Sequence, residues 1–146
     1  MVSSKRFKPV QRVAESREQK AAREFGDSQR SMHAEEQKLE VLRVYHQEYL
    51  EQFHTTARGG ISSGQMQEYR AFLAKLDQAI NEQAQVVEAS HQEFVIRKES
   101  WHKRHVRTQV LEKAVDRIRQ VEHKTVERRE QKEQDEHSLH KVDKES

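Results

Sequence analysis

The chain contains no cysteine, one proline and four glycines in 146 residues. Without cysteine there is no disulfide framework, no thiolate zinc site and no redox thiol. Sheets and barrels need frequent turns, so the scarcity of proline and glycine argues against them. No apolar run approaches the roughly 18–20 residues that a bilayer-spanning helix requires, so we expect no direct membrane insertion.

Apolar residues are also scarce, at 33% of the chain, whereas charged residues reach 36%. Ordinary globular domains are about 25% charged and richer in apolar residues, so a thick core is excluded, and with it a two-layer α/β domain or a β-sandwich. A chain this polar is either disordered or a thin helical rod that buries a narrow stripe.

The second half of the chain decides between these states, because its apolar residues recur in strict alternation of three and four residues. Eleven of the sixteen positions in this series are apolar, a periodicity typical of a coiled coil. The positions are Met66, Tyr69, Leu73, Leu76, Ile80, Gln83, Val87, Ser90, Phe94, Arg97, Trp101, Arg104, Thr108, Leu111, Val115 and Ile118.

The first half shows the same periodicity in two registers. Two steps of four residues follow each other, from Arg17 to Ala21 and from Ala21 to Phe25. This is a stutter, which locally unwinds a supercoil. Because Gly26 lies beside it, we expect a bend or weak point near residues 21–28. The first register holds Phe7, Val10, Ala14, Arg17 and Ala21; the second holds Phe25, Ser28, Met32, Glu35, Leu39, Leu42, His46, Tyr49 and Phe53.

Three of the glycines cluster at positions 59, 60 and 64 and separate the two helical stretches. The sequence therefore predicts an all-α fold, a single domain over 1–146 that forms a long antiparallel two-helix coiled-coil hairpin. We expect a first helix at about 7–56, a loop at 57–64 and a second helix at about 65–130. A polar tail at about 131–146 follows as a frayed extension, and no intrachain partner is expected for the second helix beyond about 116.

The net charge of +2 combines an acidic hairpin end, residues 35–93, with basic segments on either side. The predicted pairing lays two basic segments side by side. They form either a solvated face or a collar for an acidic partner. Nucleic acid is a weaker alternative, because a net basic domain and a stacking platform are missing. The collar comprises Arg12, Arg17, Lys20, Arg23, Arg97, Lys98, Lys103, Arg104 and Arg107.

No pattern of catalytic or ligand-binding residues stands out. The pairs His102/His105 and His137/His140 have helical spacing, but no cysteine accompanies them and the second pair lies in the predicted tail, so we interpret them as solvated surface histidines. The glycine cluster lacks the Gly-Lys-Ser/Thr ending of a phosphate loop. A two-helix rod offers no pocket that would shift the pKa of a carboxylate for acid–base work. We expect no metal, no cofactor and no enzymatic activity.

Near the loop, apolar side chains lie both in the predicted seam (Leu42, Tyr49, Leu76) and beside it (Tyr45, Phe72, Ala79). They either broaden the seam or form a docking patch, since tyrosine and phenylalanine are favoured interface anchors. This patch comprises Leu42, Tyr45 and Tyr49 on the first helix and Phe72, Leu76 and Ala79 on the second.

The sequence around this patch and the loop resembles the FliJ family of the bacterial flagellar type III export apparatus. The resemblance covers roughly residues 5–125 and rests on the ungapped order of helix, Gly-Gly-Ile-Ser loop and helix. Its pieces include Tyr45-x-x-Glu48-Tyr49, Tyr69-x-x-Phe72 and Lys98-x-Ser100-Trp101.

The resemblance implies a cytoplasmic antiparallel coiled coil, located at the cytoplasmic face of the inner membrane and similar to the central stalk of rotary ATPases. Its open end would bind the hexameric flagellar export ATPase and promote ring assembly and activity. The patch Leu42, Tyr45, Tyr49, Phe72, Leu76 and Ala79 would bind the cytoplasmic domain of the transmembrane export gate. Export chaperones are further implied partners, so an escort or holdase role is the alternative, beside a generic coiled-coil scaffold.

Overall fold

The computed structural model describes residues 3–145, and every regular element in that range is helical. A 3₁₀ turn at Ser4–Phe7 leads into helix α1, Lys8–Arg58, and helix α2 spans Ser63–Glu145. The Ser3 hydroxyl accepts a hydrogen bond from the backbone N–H of Lys5 at 3.3 Å and so caps the 3₁₀ turn. The predicted all-α class with two long, mutually packed helices is confirmed.

The contacts divide the chain into two compact units. Unit 1 comprises the described parts of Met1–Lys20 and His102–Ser146, and unit 2 comprises Ala21–Trp101. Helix α1 continues without interruption through Gly26. The boundary on α1 falls between Lys20 and Ala21, where the sequence predicts the register shift.

Unit 2 packs its parts of α1 and α2 antiparallel along the predicted seam. Residue pairs such as Phe25–Phe94 and Tyr49–Tyr69, whose ring centroids are both 5.3 Å apart, show the opposite chain directions. Small and aliphatic seam residues fill the space between these rings. The buried ones are Ala21, Ser28, Met32, Leu39 and Leu76.

A polar layer interrupts this seam. The side-chain amide of Gln83 donates to the Glu35 backbone carbonyl at 3.0 Å and to its Oε2 at 2.6 Å. Polar groups removed from water must find partners, so this pairing lets a glutamine occupy a seam position. Such a layer also fixes the register of the two helices, because sliding either helix would leave the amide unpaired.

In unit 1 the seam is held by Ala14, Thr108 and Val115, the last only 1% exposed. Thr108 satisfies its hydroxyl by donating to the Arg104 carbonyl within its own helix, at 3.0 Å. The predicted loss of an intrachain partner beyond about residue 116 is wrong. The 3₁₀ turn reaches further along α2 than residue 116, and Ser4 donates two hydrogen bonds to Glu122.

Helix α2 extends to Glu145, well beyond its predicted end at about residue 130. The described residues of the tail predicted at 131–146 are therefore helical. This segment is rich in Glu, Gln, Lys and Arg, which have high helix propensity. Opposite charges also recur four residues apart, as at Arg129 and Glu133 or Lys132 and Glu136, and such spacing supports an isolated helix. From Val126 to Glu145 every residue is exposed.

The connection between the helices is shorter than predicted. The N–H groups of Gly59 and Gly60 each donate to the carbonyl three residues earlier, at 3.2 Å, and Gly60 has φ +88°. At the start of α2, the Ser62 hydroxyl accepts from the Gln65 N–H while the Gln65 side chain accepts from the Ser62 N–H. This reciprocal capping box fixes the start of the helix.

Candidate functional site

Unit 2 carries the aromatic patch that the sequence predicts, and the structure brings residues from both helices together there. The rings of Tyr49 on α1 and Phe72 on α2 lie 4.3 Å apart at 45°. Tyr49 also contacts Tyr69 at 5.3 Å, and Tyr69 contacts Phe53 at the same distance. These tilted ring contacts hold the surface near the loop in a defined geometry.

The six patch residues differ strongly in exposure. Tyr45 is 56% exposed and Phe72 37%, so both present apolar surface to solvent. Leu42, Tyr49 and Ala79 are half-buried. Leu76 is 8% exposed and belongs to the core of the seam. The surface available to a partner therefore centres on Tyr45 and Phe72, whereas Leu76 is buried in the seam.

Two exposed residues that are not part of the predicted patch lie beside Tyr45. Val41 is 61% exposed and Val44 is 46% exposed. Val41 lies four residues before Tyr45 and three before Val44, so all three occupy one side of α1. The sequence signal that could have found Val41 and Val44 is their helical spacing from Tyr45, outside the seam register. Together they widen the apolar surface around Tyr45.

The basic residues predicted as a collar fall into both units, and each group has its own surroundings. In unit 2, Arg23 and Lys98 are exposed. Arg97 is not a free cation, because it contacts Glu24 at 3.0 Å and Glu93 at 2.6 Å. The hydrogen bond and charge of Glu93, followed by those of Glu24, raise the pKa of the Arg97 guanidinium.

In unit 1, three of the predicted basic residues line one groove. Arg17 on α1 and Arg104 and Arg107 on α2 border a volume of about 270 Å³. Its floor is apolar, and Val10 and Val13 remain 48% and 50% exposed. The apolar lining consists of Pro9, Val10, Val13, Ala14 and Leu111. Arginine beside exposed aliphatic surface suits a partner segment that carries both carboxylates and apolar side chains.

The remaining unit 1 members of the predicted collar, Arg12, Lys20 and Lys103, are exposed outside this lining. Directly after Arg104 in α2, Nδ1 of His105 lies 2.7 Å from Oε1 of Glu18. Hydrogen bonds from His105, then from Thr108, lower the pKa of Glu18 against the opposing effect of burial. Glu18 therefore stays ionised beside the groove.

Among residues 3–145, no three His, Cys, Asp or Glu side chains come together in a way that could hold a metal ion. Neither α1 nor α2, as far as the structure describes them, contains an apolar stretch that could cross a membrane.

Two long helices that pack against each other, with no other regular element than the 3₁₀ turn in residues 3–145, define a helical hairpin of the coiled-coil class. The family model of the flagellar FliJ protein matches residues 3–145. The chain belongs to this family, whose members are components of the flagellar type III export apparatus. No match was found among curated proteins or among solved structures.

Proposed function

We propose that this chain is the coiled-coil stalk that links the hexameric export ATPase to the export gate. The unit 1 groove bordered by Arg17, Arg104 and Arg107 binds the ATPase ring and promotes its assembly and activity. The unit 2 surface around Tyr45 and Phe72 binds the cytoplasmic domain of the gate. The protein acts in the cytoplasm, at the inner face of the membrane.

The observation that carries this proposal is the separation of two chemically different surfaces into different units. The groove combines three arginines with an apolar floor, whereas the Tyr45 surface is apolar and lies in the acidic part of the chain. Each surface therefore suits a different partner. A stalk acts by differential contact, since it biases the ring only if it binds one arrangement of subunits more tightly than another.

Reversal of the groove charges tests the ATPase contact. In the variant Arg17→Glu, Arg104→Glu and Arg107→Glu, we expect stimulation of the ATPase to fall by about tenfold or more, because like charges now oppose an acidic partner. The matched control reverses three basic residues of the exposed C-terminal helix, Arg129, Lys141 and Lys144. If the groove variant and the wild type have equal helicity and stimulate the ATPase equally, the proposed contact is wrong.

Binding of the purified gate domain tests the other surface. Tyr45→Ala should weaken binding about tenfold while leaving stability nearly unchanged, because the ring is exposed. Val86→Ala is the control, since it truncates another exposed apolar side chain of unit 2. Unchanged gate affinity of Tyr45→Ala would contradict the proposed surface.

An escort role for export chaperones is the second candidate, favoured by the exposure of Val41 and Val44 beside Tyr45. If this surface binds chaperones, Tyr45→Ala combined with Tyr49→Ala abolishes chaperone binding while gate binding survives. Loss of gate binding with retained chaperone binding favours the stalk role instead. Both partners can be measured with the same variant.

A further inference from the structure

The outer face of α2 in unit 1 carries a basic and apolar stripe on the side that faces away from α1. Lys103, Val106, Val110 and Lys113 follow one another at steps of three, four and three residues, and all are exposed. Val106 is 41% exposed and Val110 is 59% exposed. The buried seam residues Thr108 and Val115 lie on the opposite side of the helix, so burial in the seam does not explain the valines of this stripe.

The same face continues into the C-terminal part of α2 with the opposite charge. Asp135, Leu139, Val142 and Glu145 follow at steps of four, three and three residues, and all are exposed. Leu139 is 67% exposed and Val142 is 62% exposed. Val142 lies 36 residues after Val106, which is ten turns at 3.6 residues per turn, so both point to the same side.

The two segments are complementary when one is read backwards. The first has the order basic, apolar, apolar, basic, and the second has the order acidic, apolar, apolar, acidic. Lys103 and Glu145, Val106 and Val142, and Lys113 and Asp135 are each placed symmetrically about Lys124. Val110 falls opposite the neighbours Ser138 and Leu139. This is the pattern of an antiparallel helix pair with a two-fold axis at residue 124.

The two segments cannot meet within one chain. Both belong to one continuous helix, and Val106 and Val142 are separated along it by about 54 Å at 1.5 Å per residue. Only a second molecule can bring the complementary segments together. The second copy then covers part of the helix from Val126 to Glu145, in which every residue is exposed.

We propose that the outer face of α2, over residues 103–145, binds the same face of a second copy of this chain in antiparallel orientation. The interface is isologous, so each pair of opposite charges occurs twice. Lys124 faces its own copy at the axis, which is an unfavourable contact, and Arg117 and Arg128 lie on the same face near it. The attraction therefore comes from the charge pairs at the two ends of the interface. The proposed face differs from the groove between Arg17 and Arg104, so failure of either proposal leaves the other standing.

The mass of the full chain in solution tests the proposal. We expect the mass measured by light scattering or sedimentation to rise from 17.4 kDa toward twice that value as the concentration increases. Lys113→Glu should weaken the dimer about tenfold, since two ion pairs become two repulsions. Asp135→Lys should do the same. The double variant restores the pair and should recover the wild-type dissociation constant.

Glu130→Lys combined with Lys141→Glu is the matched control, because it alters exposed charges of the same helix outside the stripe. Substituting Lys124→Gln removes the repulsion at the axis and should strengthen the dimer several-fold. A chain that remains monomeric at all concentrations overturns the proposal. So does a double variant at positions 113 and 135 that fails to recover dimerisation while retaining wild-type helicity.

Orientation can be tested by cross-linking, because the natural chain has no cysteine. Lys124→Cys should form a disulfide with its own copy. Chains with Val106→Cys should cross-link to chains with Val142→Cys, and much less to themselves. Efficient self-cross-linking of Val106→Cys would indicate a parallel pair and would contradict the proposed arrangement.

Discussion

Ser4 and Glu122 are 118 residues apart in sequence, yet Glu122 accepts two hydrogen bonds from Ser4. The Ser4 N–H lies 2.7 Å from Oε1 and its hydroxyl 2.9 Å from Oε2. The pair joins the first described turn of unit 1 to α2 beyond the last buried seam residue, Val115. A single carboxylate thus satisfies two donors at the start of the chain.

Replacement of this carboxylate tests the contact. Both donors, the N–H first, lower the pKa of Glu122. We expect Glu122→Gln to speed hydrogen exchange of the Ser4 amide, because the neutral amide is a weaker acceptor. Glu130→Gln, eight residues further along α2, should leave that exchange unchanged. Equal exchange in Glu122→Gln and the wild type would contradict the pairing.

The pH dependence of the same contact has a defined sign. Since the pKa of Glu122 is depressed in the fold, its contribution is present above the unfolded value of about 4.3 and is lost as the pH falls through the folded value. Protection of the Ser4 amide should therefore decline only in the acidic range. Loss of protection between neutral pH and pH 5 would point to another group.

Truncation of the most deeply buried side chain tests the seam of unit 1. Val115 is 1% exposed, so Val115→Ala should lower the free energy of unfolding by about 2 kcal/mol. Val126 on the same helix is 51% exposed, and Val126→Ala should cost less than about 0.5 kcal/mol. Urea unfolding followed by circular dichroism measures both. Equal losses would mean that Val115 is not in the core.

Glu18 offers a second test based on titration. Its pKa is lowered first by the hydrogen bond with His105, so His105→Ala should raise the pKa of Glu18 toward its ordinary value. Stability from this carboxylate is present above the unfolded pKa and is lost as the pH falls through the folded one. Carboxyl NMR titration gives the shift directly. His102→Ala, on the exposed turn before it, should not move the Glu18 titration.

The loop conformation predicts different effects at two neighbouring glycines. Gly60 has φ +88°, a left-handed conformation in which a Cβ costs roughly 1–2 kcal/mol. Gly60→Ala should destabilise the protein by about that amount. A Cβ on Gly59 would lie 3.6 Å from the Thr56 carbonyl oxygen, an ordinary contact. Gly59→Ala is therefore expected to be milder in the same thermal unfolding measurement.

The sequence predicted the helices and their seam because periodicity and burial have the same cause. Met32, Leu39 and Leu76 stand at predicted seam positions, and all are buried. The extent of α2 could not be obtained in this way. Its terminal segment is held by local propensity and side-chain charge spacing, which leave no apolar period to follow.

The candidate site was only partly predictable. Tyr45 and Ala79 both lie beside the predicted seam, but Tyr45 is 56% exposed and Ala79 is half-buried. Their difference depends on the rotation of each helix about its axis, which packing against the partner helix sets. Similarly, the sequence marks Arg97 as basic but does not reveal its contacts with Glu24 and Glu93.

The sequence by itself determined the helical hairpin, the position of the loop and the separation of acidic and basic segments. Each of these follows from spacing along one chain, which local periodicity and turn chemistry record. Only the tertiary structure decided which flanking side chains face solvent, which charges are paired and where Ser4 meets Glu122. Those features depend on contacts between residues far apart in sequence, and such contacts exist only after the two helices have packed.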